Sequence, residues 1–185
     1  MKLDEQAQRL IEVANNLCRK TGSTLRVVHV VESKSKANAY YSELFGSFDI
    51  TDLVEEVWDQ ELKNAQSELK HLVSSIPETV CIETHVLCST APEKAIVDDA
   101  LANSCTMIII GVANHLYKII PKGISVVLGL MADSPIPVLA LKTEGHLGLE
   151  SNPHRLLIAD DLSPSFSEVL SKSMQLAMAL GKVEV

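Results

Sequence analysis

Aromatic residues are scarce in this chain: three Phe, three Tyr and one Trp, 4% of 185 residues. Val, Ile, Leu and Ala must therefore fill the interior. Basic residues are outnumbered, 16 Lys and Arg against 24 Asp and Glu, leaving a net charge of −8. Phosphate backbones and acidic membranes reward clustered Lys and Arg, so neither nucleic acid nor a membrane surface is an expected partner. Cys18, Cys81, Cys88 and Cys105 contain no C-x-x-C pair and suggest no disulfide framework. They read as small buried hydrophobes of a reducing cytoplasm. No apolar run approaches a bilayer span, and the amphipathic start MKLDEQAQRL lacks the basic and apolar regions of a signal peptide. A soluble cytoplasmic protein is the expectation.

Signals for catalysis are missing too. His29, His71, His85, His115, His146 and His154 show no metal-ligand spacing, and no G-x-S-x-G nucleophile elbow occurs. Paired acids such as Glu55-Glu56, Asp98-Asp99 and Asp160-Asp161 read as solvated helix faces or caps rather than acid/base pairs. No catalytic residue and no metal site is expected.

What is present is alternation. Leu3, Ala7, Leu10, Ile11, Ala14 and Leu17 recur at helical spacing, with Gly22 where a C-cap glycine belongs. Leu25 to Val31 (LRVVHVV) reads as a buried strand, and residues 33–50 as a long polar connection. A helix is predicted from Asp52 to Ser74, capped by Thr51, with Leu53, Val54, Val57, Trp58, Leu62, Ala65, Leu69, Leu72 and Val73 on one face. Thr79 to Leu87 reads as an edge strand. Ser89 or Thr90 should then cap a helix that opens with Pro92 and Glu93 and runs to about Asn103. A strand over 107–112, a helix over 123–132 and a strand over 136–142 follow. A linker comes next, then a strand over 155–161 and a helix from Ser163-Pro164 to about Leu180. Such alternation, with apolar strands, predicts a parallel sheet with helices on both faces.

The stretch from Met107 to Lys142 has the order of a phosphate cradle. Strand, Gly111, a loop bearing His115, Lys118 and Lys122, a helix opening at Gly123-Ile124-Ser125, and a second strand follow one another. Glycines let backbone approach an anion, and N–H groups at a helix start face it.

In order and spacing these segments resemble the universal stress protein family over nearly the whole chain. The matching motifs are His29-Val30 at the end of a strand and Thr90-Ala91-Pro92 at a helix start. Thr106-Met107-Ile108-Ile109-Ile110-Gly111 and Pro137-Val138-Leu139-Ala140-Leu141 match the fourth and fifth strands. The family's opening strand and helix are matched only near the end of the chain, by LLIADDLSPS at 156–165. The resemblance implies an α/β, doubly wound, parallel five-stranded sheet of order 3-2-1-4-5, adenine nucleotide alpha hydrolase-like. It also implies a division: 1–145 as one domain lacking its first strand, 146–154 as a linker, and 155–185 as the opening of a second domain. Two placements of strand 155–161 are open. It can fill the central slot of the sheet, in its own chain or swapped from another, or it can belong to a second domain. The first is favoured, because an empty slot leaves two unpaired strand edges.

The same resemblance implies a site for ATP or AMP, with Mg²⁺ only alongside nucleotide. Its residues would be Val30, Ile110, Gly111, Asn114, Gly123, Ser125, Val126 and Asp161. The motif G-x-x-G-x9-G-[ST] is degenerate here, since Asn114 and Ile124 replace two glycines and Gly123 lies one residue early. Asn tolerates left-handed backbone, but the β-branched Ile124 projects where backbone should meet phosphate. A stress-response protein with a degenerate nucleotide site is the leading expectation. A ligand-free dimerisation or regulatory module of the same fold is the alternative. A homodimer is implied, formed through strand 136–142 or by swapping of 155–181.

Overall fold

The structure, a computed structural model, describes residues 5–31, 51–77, 80, 82–112, 122–142, 154–155, 166–180 and 183–184. Of residues 51–55, 82, 122–125, 142, 154–155, 166–170, 179–180 and 183–184 it describes the backbone alone. In chain order the elements are α1 (Glu5–Thr21), β1 (Leu25–Val31), α2 (Thr51–Ser74), β2 (Ile82–Cys88), α3 (Pro92–Ala102) and β3 (Ile108–Val112). There follow α4 (Lys122–Asp133), β4 (Val138–Lys142), β5 (His154–Arg155), α5 (Phe166–Leu180) and β6 (Val183–Glu184).

Helix α1 buries Ala7, Leu10, Ile11, Val13, Ala14, Leu17 and Cys18, a wide apolar stripe for one helix. Its end is set by backbone chemistry. Gly22 has φ 66°, and the Ser23 N–H donates to the Cys18 carbonyl at 2.9 Å, closing a Schellman turn. Asn15 is buried within the same stripe and would be costly without a partner. Its Oδ1 accepts the Val80 N–H at 3.0 Å, which ties α1 to the chain entering β2.

Strands β1 and β2 pair in parallel, with Leu25 opposite Ile82 and Val31 opposite Cys88. Strands β3 and β4 also pair in parallel, Ile108 opposite Val138 and Val112 opposite Lys142. These pairs correspond to the 3-2 and 4-5 neighbours of the expected order. Among the described residues β5 pairs only with β6, His154 opposite Val183. Residues 156–161, the body of the expected central strand, lie outside the described residues, as does the 33–50 connection.

Alternation along β3 and β4 assigns the two faces. Ile108, Ile110 and Val138 pack with Ala100 of α3, Leu130 of α4 and Ile136, whereas Ile109, Leu139 and Leu141 meet Leu10 and Val13 of α1. Helix α1 also touches β1, and α2 lies against β1 and β2. Helices therefore cover both faces of a parallel α/β fold. At the α3–α4 contact a Cβ on Gly129 would lie 3.1 Å from Glu93 Cγ, so the two helices approach closely there.

Three expectations need correction. The N-cap of α3 is Ala91, not Ser89 or Thr90, and no side chain caps the helix. Ser89 Oγ instead accepts the Ala91 N–H at 3.1 Å, so the serine shapes the turn before the helix. The strand predicted from Ile136 begins at Val138, and Ile136 is a buried core residue in the preceding turn, held by Ser134 Oγ accepting its N–H at 3.1 Å. On α2 Trp58 and Leu69 are buried as the spacing implied, but Val57 is 46% exposed. Trp58 takes the inward position, and its immediate neighbour points off the stripe.

Candidate functional site

Parallel pairing places the carboxyl ends of β1 and β2, and those of β3 and β4, on matching sides of each pair. In doubly wound sheets ligands bind beyond these ends. Val30 lies one residue before the end of β1, opposite Leu87, and is half-buried. Gly111 lies one residue before the end of β3, opposite Leu141. Beyond β2 the Ser89 N–H donates to the Val31 carbonyl at 3.1 Å, extending the ladder into the turn that leads to Pro92 and α3. Helix α4 starts at Lys122 and packs on β3 and β4, so Gly123 and Ser125 fall in its first turn. A helix that returns between two parallel strands starts at their carboxyl edge, and its first N–H groups have no partner inside the helix.

Two of the expected site residues, Ile110 and Val126, are partly buried and pack against the cluster of Ala100, Ile108, Leu130 and Ile136. Their apolar character is accounted for by that packing. Asn114 and Asp161 lie outside the described residues, together with the rest of 113–121. The structure thus places Val30 and Gly111 near strand ends and Gly123 and Ser125 at one helix start.

Sequence reasoning missed a cluster at the opposite, amino edge of the sheet. Arg26, second residue of β1, donates through Nε to Asp99 Oδ2 at 2.9 Å and through Nη2 to Oδ1 at 3.0 Å. Its Nη1 donates to Glu83 Oε2 at 2.8 Å. His85 Nδ1 lies 2.9 Å from Arg26 Nη2 and 3.0 Å from Asp99 Oδ1. The register explains the meeting. Arg26 sits opposite Glu83 and Val28 opposite His85, so alternation turns Arg26, Glu83 and His85 toward one face, where α3 supplies Asp99. The Asp99 side chain is 8% exposed and that of Arg26 19%, so Asp99 is not the solvated helix acid that the Asp98-Asp99 pair suggested. The Arg26 hydrogen bonds hold its carboxyl below the usual carboxylate range, against the opposing effect of burial and with help from His85. The Arg26 guanidinium is pushed higher still, chiefly by its bond to Asp99. A lone arginine in the apolar run LRVVHVV was the available signal.

Among the described residues no group of three or more His, Cys, Asp or Glu could hold a metal ion. No helix there is long and apolar enough to cross a membrane.

No family model matches the chain, and no curated protein does. Solved structures do. A universal stress protein from Archaeoglobus fulgidus is 23% identical, with 75% of this chain and 91% of that one covered at a TM-score of 0.54. A universal stress protein solved in complex with cAMP is 15% identical, with 78% and 93% covered at a TM-score of 0.47. The first of these likenesses establishes a shared fold.

Proposed function

We propose that the chain is a universal stress protein of tandem type, a cytoplasmic stress-response protein with a degenerate adenine-nucleotide site. One nearly complete domain spans 1–145, a linker 146–154, and a strand–helix unit 155–185 opens a second domain or completes the first sheet. The ligand is ATP or AMP, with Mg²⁺ entering only with nucleotide. One observation carries this reading: Val30 and Gly111 stand at the carboxyl ends of parallel strands, and α4 opens with Gly123 and Ser125, within a fold shared with the Archaeoglobus protein. The N–H groups of a helix's first turn, which have no partner inside the helix, suit a phosphate. Val30 would border the base, Asn114 and Gly111 the phosphate turn, and Asp161 the ribose. Ile110 and Val126 would support the site from the core. Titration of nucleotide-stripped protein with ATP and Mg²⁺ tests it: saturable heat supports the reading, and its absence from a folded protein refutes it.

A second reading has its own observation. Ile124 occupies the first turn of α4 where the motif wants glycine. A ligand-free module acting as a homodimer, through strand 136–142 or by swapping of 155–181, would tolerate that residue. A dimer by light scattering, together with no nucleotide heat, selects it.

A further inference from the structure

The amino-edge cluster contains one atom with conflicting demands on it. His85 Nδ1 faces Arg26 Nη2 at 2.9 Å and Asp99 Oδ1 at 3.0 Å. A guanidinium nitrogen can only donate, and an ionised carboxylate can only accept. Without a proton, Nδ1 satisfies Arg26 and turns its lone pair against Asp99. With one, it satisfies Asp99 and turns its hydrogen against Arg26. A neutral imidazole takes either form, whereas an imidazolium carries hydrogen on both nitrogens.

Arg26 on β1 and Asp99 on α3 face this ring, Glu83 on the ring's own strand bonds Arg26, and Cys105 beyond the end of α3 lies within the field of all three. Burial, reinforced by Asp99, pushes the Cys105 thiol up, so it stays neutral. With a neutral ring the cluster sets one cation against two carboxylates, and one added proton balances it. The ring is 48% exposed while Asp99 is 8% exposed. Solvent can therefore deliver a proton without opening the fold, and its effect falls on a buried group.

We propose that this cluster is a proton-responsive joint between the β1–β2 sheet and α3. Protonation of His85 commits Nδ1–H to Asp99 and releases Arg26 Nη2 from the ring. Arg26 keeps Asp99 through Nε and Nη2, and Glu83 through Nη1. The change reaches the end of α3 because the Asp99 carbonyl accepts both the Asn103 N–H at 3.1 Å and Asn103 Nδ2–H at 2.7 Å.

The test is an NMR titration of the full chain from about pH 7.5 to about pH 5.5, the range in which histidine changes charge. Imidazole and backbone ¹⁵N–¹H signals are followed in wild type and in His85→Gln. The amides of Asn103, Ser104 and Cys105 and the Arg26 Nε–H should shift with the midpoint of the His85 ring, and His85→Gln should abolish those shifts. A His85 ring that titrates while these signals stay still overturns the proposal. So do the same shifts persisting in His85→Gln. Because the ring is half exposed, its replacement leaves the core intact, and the wild-type titration can refute the proposal by itself.

Discussion

Arg26 and Asp99 lie 73 residues apart in the chain and meet through two parallel hydrogen bonds, Nε to Oδ2 at 2.9 Å and Nη2 to Oδ1 at 3.0 Å. This fork joins β1 to α3 across a largely buried contact. Arg26→Ala leaves a carboxylate that is 8% exposed without its main partner. The expected cost is about 3 kcal/mol in urea denaturation, the lower end for breaking a buried pair because Arg26 is partly solvated. The Asp99 carboxyl is held down in the folded state. The stability it contributes is therefore present at neutral pH and is lost as pH falls through its lowered folded-state value. Asp99→Asn should flatten that part of the acid unfolding curve.

Helix α3 ends with a non-glycine residue where glycine fits better. Ser104 has φ 54°, its N–H donates to the Leu101 carbonyl at 3.1 Å, and the Cys105 N–H donates to the Ala100 carbonyl at 2.8 Å. This is a Schellman turn with serine in the left-handed position. Ser104→Gly should stabilise by up to about 1 kcal/mol, since a side chain in that conformation costs about that much. Gly22→Ala, in the equivalent turn after α1, should destabilise by about 1 kcal/mol. Thermal midpoints moving in opposite directions would confirm both.

Leu130 has no exposed surface and sits in the cluster between β3, α3 and α4, whereas Leu128 on the same helix is 60% exposed. Leu130→Ala should cost about 2–5 kcal/mol through lost burial and the cavity left behind. Leu128→Ala should stay within about 0.5 kcal/mol. Equal effects in chemical denaturation would contradict the placement of the core.

His29 is half-buried on β1, and burial lowers its pKa, with Glu68 acting in the opposite direction. The folded value lies below the unfolded one. Stability is thus fully present above the unfolded value, about 6.5, and is lost as pH falls toward the folded one. His29→Val should reduce the loss of stability as pH falls below about 6.5. An unchanged slope in denaturation midpoints would refute this.

Local signals were legible where the chain supplied them locally. The bounds of β1, Leu25 to Val31, follow from one β-branched apolar run, and the end of α1 follows from Gly22. Nonlocal chemistry was not. Nothing near Asp99 announces Arg26, and only the register of β1 with β2 and the packing of α3 bring them together. Ser89 misled because a serine before Pro92 resembles a cap, yet its hydroxyl holds a turn. At the candidate site, strand ends and glycines located Val30 and Gly111. Ile110 and Val126, which the family resemblance named as site residues, pack against the core cluster.

The central claim, an adenine-nucleotide site weakened by Ile124, is tested most directly by one paired calorimetric titration. Nucleotide-stripped wild type and Ile124→Gly are each titrated with ATP and Mg²⁺. Weak saturable heat from the wild type, tightening at least tenfold in Ile124→Gly, about 1.4 kcal/mol, is the predicted result. Two folded proteins that give no heat, or a substitution that brings no gain, would contradict it.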